Sequence, residues 1–588
     1  MRKAILVIVL FFIFMTLLNA REKDAYKIKV LTIEGNKVYT TRTLKKVLVT
    51  RNSRFLSPAY FYPTVFEQDL KNLTLFYNQN GYLEAKVLEY DVDEDHENRT
   101  VAIFIRIYEG PPTHISDIAI FGNHVFTDET ILSSITMGSG QLLNQKRIQD
   151  ATYKILSMYG NQGYLDAEAV PDIRINKEIN KAIIDFQITE NQQFTIHDIH
   201  IQGLDITKER VIWRNITFQS GEIVNYSRIL KSQQNLYLTG IFESVFIRPV
   251  TIDSLPTQKD ILIEIQEKIP GEFNLGVGYG SLDKFRVFFE LVHNNFRGTA
   301  QKIGLNVKLS SITKKVEAAF TEPWTFGIKL KTDINIFASY NKEPGYSITQ
   351  RGGKISVGKD LTAHSNALIS YMYERVQYKN VVVDNVDYAP NLNTVSLSYS
   401  FDSRDNIFNT TKGLYLSGDN DVVISYHNTK NIFDRVIINA KYFIPGGETT
   451  IFGFSTQIGF MKVFGNDTSI PLNERFFAGG PNSIRGFEYR KVGPISKNVP
   501  VGGRYKFVGN LEVRQRLYKA FSGVAFFDFG NVWSYLKDIP TNALRSSPGI
   551  GLRFATPIGV VRCDYGFNWF PKDGEPSGTF YFSLGQAF

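Results

Sequence analysis

From about residue 270 to Phe588 the chain changes texture: helical periodicity disappears, and segments of alternating polarity follow one another between polar or Gly/Pro-rich turns. In 302–310 the odd positions are Ile303, Leu305, Val307 and Leu309, and the even ones are Lys302, Gly304, Asn306, Lys308 and Ser310. Across 328–336, Lys329, Lys331, Asp333 and Asn335 oppose Leu330, Ile334 and Ile336. Val395, Leu397, Tyr399 and Phe401 oppose Ser396, Ser398, Ser400 and Asp402. Alternation by itself fits a soluble sandwich as well as a barrel. The persistence of the pattern without a helix, and an apolar face repeatedly rich in aromatics, shift the balance. A sandwich of this length would need several packed sheets to cover that face, whereas a barrel in lipid needs one closed sheet with its polar side lining the lumen. The 45 Phe, 30 Tyr and 45 Gly, against 6 Met, suit such a structure better than packed helices. At about ten residues per strand plus connections, 270–588 accommodates roughly 12–18 strands, and we expect a transmembrane antiparallel β-barrel of about 16.

The other end of the chain sets the compartment. Arg2 and Lys3 precede an apolar run over 4–18, Asn19-Ala20 offers a small residue for cleavage, and Arg21-Glu22-Lys23-Asp24 turns polar. That order reads as a secretory signal peptide over 1–20, the apolar run being short of the roughly 20 residues a helical span needs. No later stretch is long and apolar enough to cross a bilayer as a helix. The single cysteine, Cys563, excludes an intramolecular disulfide and reads as a small lipid-facing filler. A net charge of +8 spread over 588 residues, with no basic block, gives no footprint for a nucleic-acid partner.

Between these ends lies a threefold repeat. A strand ending in Gly appears as Ile28-Lys29-Val30-Leu31-Thr32-Ile33-Glu34-Gly35, returns as Ile115-Ser116-Asp117-Ile118-Ala119-Ile120-Phe121-Gly122, and again as Ile196-His197-Asp198-Ile199-His200-Ile201-Gln202-Gly203. Each is followed by a helical pattern with its own glycine stop, at Gly81, Gly163 and Gly240. Each unit closes on an alternating strand, ending at Glu109, Glu190 and Glu267. The expected units are β-α-α-β-β, small α+β domains over 26–111, 112–192 and 193–269, ahead of a barrel over 270–588.

Three such repeats before a barrel resemble the POTRA domains of the BamA/TamA outer-membrane assembly family, over nearly the whole mature chain. The most specific motif is Gly479-Gly480-Pro481-Asn482-Ser483-Ile484-Arg485-Gly486-Phe487. Its Ile484, Arg485, Gly486 and Phe487 look like the family's loop tip, carried on an insertion at about 471–500 after the eleventh strand and folded back into the barrel. Gly479, Gly480 and Gly486 are expected to supply positive-φ freedom there. Arg485 then needs an anion, since an unpaired charge away from bulk water is costly. Glu512, by alternation with Leu511 and Val513, and Asp528, by its match to a family strand, are the expected lumen partners. The terminal aromatic Phe588 resembles the signal by which such barrels are themselves recognised.

The resemblance also implies a mechanism. Gly276, Gly278 and Gly280 share one face of the first barrel strand, where they suit a lumen crowded by the loop, and Gly585 interrupts the last strand before Phe588. The closing seam is therefore expected to pair poorly and to open as a lateral gate, with client strands adding to the freed edge. The repeats are expected to hold unfolded outer-membrane clients in the same manner, the second and third most of all, the third through its junction at 268–271. Nothing in the sequence looks catalytic: the eight histidines form no metal-ligand pattern, with His197 and His200 read on opposite faces of a strand, and no cofactor motif is present. Three units and a modest barrel place the chain nearest TamA, with a TamB-like inner-membrane-anchored partner. The alternatives are a BamA-type central insertase with accessory lipoproteins, a two-partner secretion transporter, and a passive porin. All place the barrel in outer-membrane lipid and the repeats in the periplasm.

Overall fold

The computed structural model describes residues 26–584 except 54–57, 383–389, 408, 427–429, 448, 465–469, 519, 540–543 and 557–558. The segment read as a signal peptide and two seam residues, Gly585 and Phe588, lie outside the described residues.

The first repeat runs β1 (Lys27–Glu34), α1 (Thr41–Val47), α2 (Pro63–Gln79), β2 (Lys86–Asp95) and β3 (Thr100–Tyr108), with sheet order β1-β3-β2. The second runs β4 (His114–Phe121), α3 (Asp128–Ser134), α4 (Gln145–Asn161), β5 (Glu168–Asn176) and β6 (Lys181–Thr189), in the order β4-β6-β5. The third contains β7 (Thr195–Gln202), α5 (Arg210–Trp213), α6 (Tyr226–Tyr237), β8 (Phe242–Thr251) and β9 (Gln258–Glu267), in the order β7-β9-β8. The third strand of each repeat is the central one. It alternates most cleanly because one face packs on helices: Val101, Ile103, Ile105 and Ile107 of β3 are all buried, against Leu73 and Tyr77 of α2. Threonines begin the short helices, Thr40 accepting from the Thr43 N–H and Thr127 from the Thr130 N–H, so two otherwise unpaired donors are satisfied.

The same latch recurs in every repeat. Gly35, Gly122 and Gly203 adopt φ of +83°, +80° and +87°, and a Cβ there would lie 2.0, 2.2 and 1.9 Å from the carbonyl oxygens of Ile107, Ile188 and Ile265. Glycine is required for both conformation and space. The glutamate at the end of each central strand, next after β3 and β6 and the last residue of β9, then holds the loop after the glycine. Glu109 accepts from the Val38 N–H, Glu190 from His124 and Val125, and Glu267 from Asp205, Ile206 and Thr207. In the first two repeats a helix tyrosine, Tyr77 or Tyr159, donates its hydroxyl to the same carboxylate at 2.8 Å.

Two compact units are found, and 201–216 and 233–246 of the third repeat cluster with the barrel. Within that unit Asn295 Nδ2 donates to Thr207 Oγ1, the Lys208 N–H to Gly298 O and Arg214 to Thr299 O, each at 2.8 Å.

The barrel closes with sixteen antiparallel strands, from Gly271–Gly280 to Gly578–Leu584. Its outward positions are apolar, among them Leu275, Ile336, Leu397 and Ile550. Among the described residues no helix is long and apolar enough to cross a membrane; the crossing is made by strands. The strand expected over 328–336 begins later, as Lys331–Glu343, because 325–330 close on themselves: Thr325 N–H donates to Leu330 O and Leu330 N–H to Ile328 O. Over 340–450 the alternation blurs for a packing reason. Tyr346, Ile348, Val376, Leu392, Val423 and Phe433 are apolar yet belong to the buried cluster inside the barrel rather than to its lipid face.

Candidate functional site

The insertion lies between strands Thr450–Phe464 and Tyr505–Tyr518, after the eleventh barrel strand. It carries a one-turn 3-10 helix at Leu472–Glu474 and a two-residue hairpin pairing Ile495–Ser496 with Val499–Pro500. Isolated bridges join Phe476 to Gly503 and Ala478 to Val492, so the loop is a compact finger rather than an open arc. Its Ile470, Leu472, Phe476, Ala478, Ile484, Phe487 and Val492 are buried together with the apolar wall residues described above. That burial holds the finger inside the lumen.

At the tip, Arg485 is 4% exposed and meets Asp528, which is fully buried. The guanidinium binds both carboxylate oxygens, Nε to Oδ2 and Nη2 to Oδ1 at 2.8 Å each, and the Arg485 backbone N–H adds a third bond to Oδ2 at 3.0 Å. Nη1 reaches Glu512 at 3.0 Å and lies 3.8 Å from Asp564, while the guanidinium carbon sits 3.4 Å from the centre of the Phe526 ring. The planar fork thus satisfies its donors and stacks its face, a role a lysine cannot fill. Asn510 completes the cradle by donating to Asp528 at 2.9 Å and to Ser483 O at 2.7 Å.

Of the tip glycines, Gly479 and Gly480 adopt φ of +98° and +112°, but Gly486 does not have a positive φ. Its requirement is space: a Cβ would sit 2.5 Å from Phe567 O and Ser547 Oγ. Gly566, on the wall opposite, is needed for the same reason, its Cβ falling 2.5 Å from the Arg485 carbonyl carbon. Ile484 is fully buried, and Phe487 packs beneath Arg545 at 4.7 Å.

Two further anchors were not singled out from the sequence. Arg490 pairs with Glu343 at 3.1 Å and donates to the Tyr346 hydroxyl at 2.9 Å. Glu474, on the 3-10 turn, receives Arg435 at 2.5 Å, and Arg435 also grips Asp421 at 2.8 Å. Their signal was present as charges at lumen-facing positions of strands, but nothing local ties them to the loop.

Among the described residues the seam pairs Tyr279 with Leu584 and Gly280 with Ser583. Gly276 has only the Phe288 side chain near it, at 3.7 Å. Gly278 is crowded, but by Leu584 O and the Arg286 side chain at 2.6 and 2.7 Å, and Gly280 by Asp283. Among the described residues the nearest atoms to these three glycines belong to the second strand, its turn and the seam, not to the loop expected to crowd them. Arg286 donates to Ser583 Oγ and Leu584 O, and Ser281 bonds Phe582 in both directions. The last strand is also tied to the loop, Tyr581 donating its hydroxyl to Phe487 O at 2.8 Å and Thr579 to Gly486 O at 3.2 Å.

On the third repeat, His197 and His200 do not lie on opposite faces: both reach Asp260, at 2.9 and 3.2 Å. The Asp198 N–H donates to that same carboxylate. β1 and β4 are bulged at the corresponding place, between Ile28 and Val30 and between Ile115 and Asp117. A bulge breaks strict alternation, so a residue three along returns to the same side.

Comparison with known proteins matches residues 295–588 to the Omp85 superfamily domain, and 26–110, 113–191 and 194–268 to the POTRA family of surface antigen variable number repeats. The outer membrane protein assembly factor BamA of Neisseria meningitidis serogroup B is 22% identical over 96% of this chain and 79% of its own length. The BamA of Nitratidesulfovibrio vulgaris is 25% identical over 97% of this chain and 74% of its own. Among solved structures, BamA from Haemophilus ducreyi lacking POTRA domains 1–3 superposes with a TM-score of 0.68 at 20% identity, over 81% of this chain and all of that one, a likeness of fold.

Proposed function

The chain belongs to the Omp85 superfamily, and from that premise we propose that it is an outer-membrane assembly factor of the BamA type. The barrel sits in the bacterial outer membrane and the repeats in the periplasm. The repeats receive unfolded outer-membrane proteins; the barrel parts at its seam, and a client strand adds to the freed edge. What supports this reading is that the sheet closes by pairing its own first and last strands, at Tyr279 with Leu584 and Gly280 with Ser583 among the described residues. A strand edge freed at that junction is a template for another strand.

Preference for the TamA branch rested on the number of repeats. Relatives bearing the BamA name align along nearly the whole of this chain, repeats included, and favour the central insertase with accessory lipoproteins over a TamB-like partner. Proline placement bears on which sheet edges of the repeats can take a client strand. One edge strand of the second sheet, β5, carries Pro171 and one of the third, β8, carries Pro249, and a strand proline faces its missing N–H outward. The β2 edge of the first repeat has no proline, and neither do the opposite edges β4 and β7 of the second and third sheets, so each repeat offers an edge for an added strand. Conditional depletion tests the assignment. A general loss of outer-membrane β-barrels, with loss of viability, is expected; survival with only a few proteins missing would return the reading to the TamA type.

A further inference from the structure

The turn between the fourth and fifth barrel strands lies on the side of the repeats, because the first strand leaves the third repeat at Gly271 and each later strand reverses direction. It reads Pro323-Trp324-Thr325-Phe326-Gly327-Ile328-Lys329-Leu330, five apolar side chains with one charge. A turn facing water is ordinarily built from Gly, Pro, Asn, Asp and Ser. Phe326 is 97% exposed and Ile328 58%. Phe326 also sits at a φ of +54°, in the left-handed region that a bulky side chain resists. Holding a phenyl ring clear of the rest of the chain on strained backbone is doubly unfavourable in water. The direction of the turn is set by its bonds. Thr325 Oγ1 meets Thr332 Oγ1 at 2.7 Å, and Thr332 is in phase with Ile334 and Ile336 on the outward face of strand Lys331–Glu343, yet is buried. The turn thus folds back over the outside of the barrel rim rather than over the lumen. Beside it the Trp324 N–H donates to Glu322 at 2.9 Å, and the guanidinium carbon of Arg214, just after α5, stands 5.4 Å from the centre of the Trp324 ring.

We propose that this turn is a wedge seated in the periplasmic leaflet, with Phe326 and Ile328 entering the lipid and Trp324 at the level of the headgroups. Lipid is the occupant that the position selects. The apolar tip continues the outward band of Ile334 and Ile336, on a strand whose outer face is already in the membrane. Tryptophan suits the boundary between tails and water, and the Lys329 stem is long enough to keep its ammonium among headgroups while the tip is immersed. The same turn is tied to the third repeat through Arg214, which also donates to Thr299 O. Immersing the tip therefore braces the α5 end of that repeat at the barrel rim, four strands away from the seam. The wedge stands on the barrel alone and holds whichever client set the protein serves.

The test uses the full chain in a Cys563→Ser background, with one cysteine added at a time, Phe326→Cys or Ile328→Cys. Each is labelled with an environment-sensitive fluorophore and reconstituted into phosphatidylcholine vesicles. Leu397→Cys, on the outward face of the barrel, sets the lipid limit, and Tyr153→Cys, exposed on α4, sets the water limit. Folding of every variant is checked by the mobility of the unheated barrel on a gel. Both turn labels are expected to lose about half or more of their emission to lipids spin-labelled near the headgroup, and to be shielded from iodide as the Leu397 label is. Quenching by iodide as strong as at Tyr153, with none from the spin-labelled lipid, overturns the wedge. Protection from both quenchers overturns it as well, since protein rather than lipid would then cover the turn.

Discussion

Arg485 and Asp528 are buried together, so each is costly without the other. Asp528→Ala leaves a guanidinium with Glu512 alone at bonding distance, and breaking a buried pair in this way costs about 3–5 kcal/mol. We expect the temperature at which the native barrel band shifts on a gel to fall clearly. Arg485→Lys, which keeps the charge but loses the fork, should fall between the variant and the parent. A second residue-scale prediction concerns Glu190. Burial pushes its carboxyl up, but the Val125 and His124 N–H groups and the Tyr159 hydroxyl outweigh that and hold it below the ordinary 4.5. Its folded value being the lower one, the carboxylate stabilises the second repeat above the unfolded value, and that contribution is lost as pH falls through the folded value. Urea unfolding of the repeats between pH 7 and pH 3 should therefore steepen in the acid range for the parent. Glu190→Gln should flatten that part of the curve, and an unchanged acid limb would refute the latch.

At the scale of elements, the glycine turn after the first strand of each repeat is a point where backbone path and sheet packing are fixed together. Gly122→Ala puts a Cβ 2.2 Å from Ile188 O at a φ that alanine resists, and we expect about 2–3 kcal/mol of destabilisation, read as protease sensitivity of the second repeat. The seam is the other decisive element. Tyr279 and Leu584 are direct register partners, at a separation typical of opposite antiparallel residues and within disulfide reach. Tyr279→Cys with Leu584→Cys, in a Cys563→Ser background, should therefore cross-link. Function should fail when oxidised and return on reduction; full activity of the locked barrel would rule out lateral opening.

For the whole molecule, the sequence was informative wherever one periodicity held across an element. Sixteen strands, three repeats and the insertion after the eleventh strand follow from alternation, from recurrence of the Gly-ended strands and from family resemblance. It was uninformative where a face served two masters. Strands over 340–450 hide their alternation because Val376, Leu392 and Phe433 receive the finger on what would otherwise be the polar side. His197 and His200 were misassigned because alternation does not survive the turned Asp198 N–H. Around Arg485, Glu512 and Asp528 could be named from strand phase and motif. Arg490 with Glu343, and Glu474 with Arg435, join groups separated by long stretches of chain, and only the fold brings them together.

The groups that seat the tip all come later in the chain than the tip: Glu512, Asp528, the space at Gly566, and the bonds from Thr579 and Tyr581. A polypeptide delivered amino end first therefore exports the tip before the tip's own sockets exist, although the anchors for the rest of the finger, at Glu343, Tyr346 and Arg435, have already passed. Seating must wait until the final hairpin arrives, so the order of manufacture makes plugging the lumen one of the last acts of this protein's own biogenesis.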